Sequence, residues 1–213
     1  MKKVILSLSF LVASLAVFSQ SEKYIAAMQK NITELDGAMQ KGNFPELANN
    51  FERIGDAEKT QWLPYYYAAY ATVSSSYLEK DKSKNDGIAD KAEQLIIKAE
   101  ALAGGENSET CVIKSMIASA HMMVDPQNRW QQYGQTSAEN IAKAKKFDAT
   151  NPRPVYLEAQ GKFYTPEEFG GGKSVAKPIF EKALAMFDGF KPASNIAPSW
   201  GKSATEYFIS QCN

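Results

Sequence analysis

The chain has 213 residues, of which 44% are hydrophobic, so it is long enough for one domain with a sizeable core. Its 24 basic and 24 acidic side chains balance, which excludes the strongly basic surface that nucleic-acid binding needs. A single histidine excludes a histidine cluster of metal ligands. The sequence therefore predicts no nucleic-acid partner, no metal site and no cofactor.

The N-terminus has the layout of a secretory signal peptide. A short basic start, Met1-Lys2-Lys3, precedes an apolar run over 4–18, and Ser19 stands before the expected cleavage point. A membrane anchor is disfavoured, because this run is shorter than the roughly 20 apolar residues that a spanning helix needs. We therefore expect export to the periplasm or the exterior, with residues 1–19 removed. Residues 20–213 then form a single domain that is soluble and carries a net charge of about −2.

The rest of the chain shows helical spacing of apolar residues, interrupted by Gly, Pro and Asn at intervals. No sustained alternation of apolar and polar residues predicts a strand. Nine segments are predicted to be helical: 21–41, 45–57, 60–80, 87–103, 108–123, 136–148, 153–164, 173–188 and 201–211. The sequence therefore predicts an all-α fold.

One pattern recurs in the second helix of each predicted pair. It places a small, a bulky and a small side chain on one helical face, as in Ala176, Phe180 and Ala183. The same spacing occurs in Ala92, Ile96 and Ala99, in Ser137, Ile141 and Ala144, and more loosely in Leu47, Phe51 and Ile54. The first positions are 47, 92, 137 and 176, so the steps are 45, 45 and 39 residues. Such steps predict about four stacked helical hairpins, followed by a C-terminal capping helix.

This helix resembles the second helix of a tetratricopeptide repeat. The segment Ala144 to Asp148, with the Asn151-Pro152 that follows, is similar to the end of that helix. Four residues match positions of the next first helix: Trp62, Tyr65, Ala68 and Ala69. The resemblance implies an α-solenoid of tetratricopeptide-like hairpins, although the steps exceed the 34 residues usual in the family.

The stretch from Met122 to Pro126 and the turn from Phe169 to Gly172 also resemble a group of small exported bacterial proteins of this repeat class. That second resemblance implies the fold and export, and it implies no established activity.

The residues beyond the usual repeat length fall in three turns, at 81–86, 124–135 and 165–172. Equivalent turns of a solenoid lie on one edge, which is often the binding face. In the second of these turns Trp130 follows Arg129, and a Trp beside an Arg in such a turn is typical of an interface anchor. The alternative is that Trp130 covers its own hairpin. We expect 129–133 and 164–173 to form one site. Its candidate partner-binding residues are Arg129, Trp130, Tyr133, Tyr164, Phe169, Gly171 and Lys173.

Tyrosines crowd the predicted helix 60–80. Tyr66, Tyr70 and Tyr77 share one helical face, so they could form an aromatic surface for a ligand. Packing between repeats is the alternative, and it is favoured. Tyr66 and Tyr70 are kept as candidate binding residues.

Three features of the sequence suggest other chemistry. The run from Gly170 to Ser174 is not a phosphate loop, because Glu167 stands where that motif requires its first glycine. His121 has no nucleophile-elbow sequence to pair with, so a hydrolase with a dispersed site is disfavoured. Export permits a disulfide between Cys111 and Cys212, and two buried thiols are the alternative.

The sequence thus predicts an exported protein that is not an enzyme. Its long turns and repeat surface favour recognition of a protein or peptide partner. The alternative is a periplasmic protein that binds a small ligand or a glycan.

Overall fold

The computed structural model describes residues 22–213, and the predicted signal peptide lies outside them. Within these residues the chain is helical and contains no strand, which confirms the predicted class. The helices are α1 (22–35), α2 (Ala38–Lys41), α3 (Phe44–Glu58), α4 (Leu63–Leu78), α5 (Asn85–Ala103), α6 (Ser108–Met122), α7 (Pro126–Arg129), α8 (Gln135–Phe147), α9 (Arg153–Tyr164), α10 (Lys173–Gly189) and α11 (Lys202–Gln211). None of them is both long and apolar enough to cross a bilayer.

The long helices pack in the order of the chain. From α3 to α6 each helix contacts the next, and the series continues from α6 through α8, α9 and α10 to α11. In addition, α6 contacts both α4 and α9. The helices α4, α6 and α9 therefore lie side by side, and their N-terminal ends support the site described below.

Most of the recurring small–bulky–small positions lie in the core, while Ile54, Ser137 and Ile141 are half-buried. Ala176, Phe180 and Ala183 on α10 are fully buried, as are the equivalent residues of α5. Small side chains let neighbouring helices approach closely, while each bulky one fills the space between them. Burying a ring such as that of Phe180 stabilises the fold by about 2–3 kcal/mol.

Two adjacent side chains hold the start of α6. Asn107 caps this helix, because its side chain accepts from the backbone N–H groups of Glu109 and Thr110 at 2.9 and 3.1 Å. Ser108, the next residue, donates its hydroxyl to the carbonyl of Ala144 at 2.9 Å. The Ser108 hydrogen bond ties α6 to the end of α8. The Asn107 cap fixes Glu109 in the first turn of α6.

The long third turn is not an open loop. Asp125 caps the short helix α7, and residues Trp130–Gly134 continue as a π-helical turn into α8.

At the other end of the domain, α11 buries Phe208 but leaves Tyr207 exposed. Adjacent residues of a helix point in different directions, so of these two rings only Phe208 joins the core.

Candidate functional site

Residues 190–201 connect α10 to α11 without regular structure, and we call this segment the strap. The strap crosses the start of α4. The Tyr67 hydroxyl donates to the carbonyl of Ile196 at 3.1 Å, and the Trp200 indole N–H donates to the Tyr66 hydroxyl at 2.8 Å. The Trp200 ring also stacks on Tyr70 at 4.4 Å between centroids. These contacts hold the strap against α4.

Beneath the strap lies a buried polar network centred on Arg153, the first residue of α9. Its side chain is 0% exposed, and its Nε lies 3.2 Å from Glu109 Oε2. Its Nη2 donates to the carbonyl of Pro198 in the strap. The Tyr66 hydroxyl and the Asn151 amide also donate to the Glu109 carboxylate, at 2.9 and 2.8 Å. Four separate segments of the chain therefore meet at one ion pair.

Burial is the main influence on the pKa values of Glu109 and Tyr66 in this network. It raises the pKa of the Glu109 carboxyl, and the guanidinium of Arg153 only partly offsets that effect. Burial also holds the pKa of Tyr66 well above 10, so its hydroxyl remains a neutral donor. Removing one partner of such a buried pair typically costs about 3–5 kcal/mol, because the other charge is left unpaired.

One donor of Arg153 has no partner. Its Nη1 is buried, and no acceptor among the described residues lies within hydrogen-bonding distance of it. A buried N–H without an acceptor costs about 1–3 kcal/mol. Because such groups are uncommon in folded proteins, the unpaired Nη1 marks a place where an acceptor from outside the chain would be stabilising.

Arg153 lines a cleft of about 740 Å³ between the strap, the end of α10 and the starts of α4 and α9. Its apolar walls are Trp62, Leu63, Met186 and Phe190. Its charged lining side chains are Glu109, Asp148, Arg153 and Lys191. Clefts of about 300–1,000 Å³ with mostly apolar walls and a few polar groups are typical of small-ligand sites. The arrangement can hold an apolar body with a polar group aimed at the network.

The tyrosines predicted from the sequence lie beside this cleft. Tyr66 is fully buried and hydrogen-bonded to both Glu109 and Trp200, so it acts in packing, the alternative that the sequence favoured. Tyr70 is half-buried beneath the Trp200 ring. Both residues therefore support the strap, and neither lines the cleft.

The predicted residues of the third turn form a separate cluster. Arg129 Nη1 donates to Asp86 Oδ1 at 2.7 Å, and His121 Nδ1 lies 2.7 Å from the same oxygen. These two contacts lower the pKa of the Asp86 carboxyl. Tyr133 stacks on His121 at 4.9 Å, which ties the turn to α5 and α6. Trp130 is 58% exposed, so in this structure it does not cover its hairpin.

The fourth turn exposes two rings, since Tyr164 is 68% and Phe169 73% exposed. Lys173 Nζ lies 6.0 Å from the centre of the Phe163 ring. A Cβ at Gly171 would overlap the carbonyl of Thr165, so this glycine lets the turn close tightly. Between 129–133 and 164–173 the described residues make no hydrogen bond, ion pair or ring contact, so one shared site stays a prediction.

The two cysteines are not bridged in this structure. Cys111 is buried in α6 and Cys212 follows α11, and both are free thiols. In this structure Cys111 packs in the core as a small apolar side chain, and the bridge stays a prediction.

The sequence did not identify Arg153, Glu109 or the strap as parts of a site. An arginine at a helix start is most often exposed, and no spacing rule pairs it with a glutamate 44 residues earlier. One signal was present: Phe190, Ile196 and Trp200 lie in a segment rich in breakers. Apolar residues in such a segment indicate that it packs on the domain rather than in solvent.

No family model matches the chain, and no curated protein matches it. Among solved structures the chain is similar to the HusA haemophore from Porphyromonas gingivalis. The two are 35% identical, the match covers 89% of this chain and 92% of that one, and the TM-score is 0.78. The tetratricopeptide assignment itself stays a prediction.

Proposed function

We propose that this chain, which belongs to the same family as the HusA haemophore, is an exported protein that binds a haem-type ligand in the cleft beside the strap. The similarity at 35% identity over nearly the whole of both chains is the observation that carries the proposal. Export rests on the predicted signal peptide at residues 1–19. This proposal takes up the small-ligand alternative that the sequence left open.

The cleft has the chemistry that a haem-type ligand needs. Such a ligand is a flat apolar macrocycle, and the cleft offers Trp62, Leu63, Met186 and Phe190 as apolar surface. Its volume of about 740 Å³ is suited to a ligand of that size class. Arg153 and Lys191 supply positive charge for acidic substituents.

The side chains available to iron are restricted. Axial ligands of haem iron are His, Cys, Met or Tyr, and among the residues that line the cleft only Met186 is of these types. The single histidine, His121, is instead held by Asp86 beside α5. We therefore propose that apolar contact supplies most of the affinity, with the Met186 thioether as the candidate axial ligand.

A titration of the mature chain with haemin, followed by the Soret absorbance, tests the proposal. Ala193 is an exposed residue of the strap that lines the cleft, so Ala193→Trp fills the cleft without disturbing the core. Ala138→Trp, on the exposed face of α8, is the matched control. We expect wild-type binding that weakens by about 10-fold or more in Ala193→Trp and not in Ala138→Trp. No saturable binding, or equal binding by both variants, would contradict the proposal.

A second candidate function is recognition of a protein or peptide through the long turns. Its support is the exposure of Trp130 and Phe169, since exposed aromatic rings on ordered turns are typical of interface anchors. Trp130→Ala and Phe169→Ala test it in a pull-down from envelope extract, and Phe147→Ala, another exposed ring, is the control. A partner lost in the first two variants and kept in the third would support this function. A partner that is kept in all three would count against it.

A further inference from the structure

We infer that the cleft selects ligands that carry a free carboxylate and that Arg153 recognises this group. The inference deepens the proposed function and rests on it for the identity of the apolar body. The carboxylate could belong to the tetrapyrrole itself or to an unrelated apolar acid, and the test below separates these two sources.

The unpaired Nη1 of Arg153 supports recognition of a carboxylate. Arg153 contacts Glu109 through Nε and Pro198 through Nη2, and the rings of Phe190 and Trp200 lie 4.9 and 5.6 Å from its Cζ. Only Nη1 lacks an acceptor. Since Nη1 is already shielded from water, a ligand oxygen gains a charge-assisted hydrogen bond without first displacing water from the donor.

The charges around Arg153 also support recognition of a carboxylate. Both oxygens of Glu109 already accept hydrogen bonds, from Tyr66, Asn151 and Arg153. These three donors already offset the negative charge that the carboxylate sets against an anion. Lys191 adds a cation to the lining and Asp148 an anion. The guanidinium is therefore the group best placed to receive a carboxylate.

Access to Nη1 requires a small local movement. The Phe190 ring lies over the guanidinium and also lines the cleft. Phe190 is half-buried and begins the strap, where no helix restrains it. Rotation of this ring would open Nη1 to the cleft and bring the ring against the bound ligand.

Two pairs of probes, measured by calorimetry, test the inference. The first pair is iron-free protoporphyrin IX and its dimethyl ester, and the second is dodecanoate and dodecanol. Each pair keeps the apolar body and removes the carboxylate. We expect wild-type protein to bind the free acid about 10-fold or more tightly than its neutral partner in at least one pair.

The double variant Arg153→Gln, Glu109→Gln removes both charges of the pair, so that neither is left buried alone. Its preference for the acid should fall to roughly threefold or less. Arg53→Gln makes the same arginine change on the exposed surface of α3, and it should keep the full preference. If the double variant does not fold, the comparison of acid with neutral probe on the wild type still tests whether the cleft selects a free carboxylate.

The outcomes separate the two proposals. If the protein binds protoporphyrin IX and its dimethyl ester equally, and shows no preference for dodecanoate over dodecanol, the inference is overturned. The haem-type function would still stand. A preference for dodecanoate with no porphyrin binding would support the carboxylate site, assign it to a separate acid, and overturn the haem-type function. If the double variant keeps the preference for the free acid, Arg153 does not recognise the carboxylate and the inference is overturned.

Discussion

Trp200 and Tyr70 lie face to face, with ring centroids 4.4 Å apart and planes inclined by 24°. Because Trp200 lies near the end of the strap and Tyr70 in the middle of α4, this stack joins two segments that are far apart in the sequence. The indole N–H reinforces it by donating to Tyr66 at 2.8 Å. One wall of the cleft thus depends on a contact between distant parts of the chain.

Replacing Trp200 with Ala should destabilise the protein by about 2–4 kcal/mol. The substitution removes the stack on Tyr70, leaves a void under the strap and takes a hydrogen bond from the buried hydroxyl of Tyr66. Urea unfolding measures the change. Trp130→Ala, at an exposed position, is the control and should change stability by no more than about 0.5 kcal/mol. Equal effects of the two substitutions would show that the strap adds little to stability.

Gly171→Ala and Gly161→Ala should shift stability in opposite directions. A methyl group at Gly171 overlaps the carbonyl of Thr165, so the fourth turn must open and we expect a loss of about 1–3 kcal/mol. Nothing lies within 4 Å of a Cβ at Gly161, inside α9, so alanine there should add about 0.5–1 kcal/mol. Thermal unfolding of both variants checks the signs. A neutral Gly171→Ala would contradict the tight packing of that turn.

Alkaline titration should reveal the buried tyrosines. Burial raises the pKa of Tyr24, Tyr65 and Tyr77 to about 12, and it raises the pKa of Tyr66 and Tyr156 well above 10. Since these folded-state values exceed the unfolded value near 10, the protein holds their protons more tightly when folded. Their stabilising contribution is complete below about pH 10 and is lost as the pH rises through the folded values.

Absorbance at 295 nm, recorded together with circular dichroism, measures this behaviour. At about pH 11 most of these groups should remain un-ionised while the helices persist, and they should ionise together when the protein unfolds at higher pH. Protein in concentrated urea should titrate all ten tyrosines near pH 10. Ionisation of every tyrosine near pH 10 with unchanged helicity would contradict the burial of these hydroxyls.

The two thiols should differ in reactivity. Burial raises the pKa of Cys111 to about 11, so its reactive thiolate is scarce at neutral pH, whereas Cys212 is only partly buried beyond α11. Ellman's reagent should label one thiol in the folded protein and two after unfolding without reductant. The absence of free thiols after unfolding would show that oxidised protein carries the bridge between them.

The sequence predicted the helices well because each has its own start, stop and apolar periodicity. The segment 153–164 was predicted with the bounds that α9 has, since Pro152 and Thr165-Pro166 flank a clear helical pattern. Most of the small–bulky–small positions, such as Phe180, are buried as the repeat pattern requires. Local signals were sufficient for these features.

The candidate site could not be predicted in the same way, because its residues come together only through tertiary packing. Glu109 and Arg153 lie on different helices, and their pairing depends on α6 and α9 lying side by side. The position of the strap depends on the stack between Trp200 and Tyr70, which no local pattern encodes. The sequence directed attention to Trp130 and Phe169 because aromatic residues in long turns are visible without any structure.

Chemical-shift mapping of the isotopically labelled mature chain with diamagnetic gallium protoporphyrin tests the central claim most directly. The proposed function predicts saturable shifts at Trp62 and Leu63 at the start of α4, at Met186 on α10 and along the strap. Shifts confined to the turns around Trp130 and Phe169, or no saturable shifts, would contradict a haem-type site in the cleft.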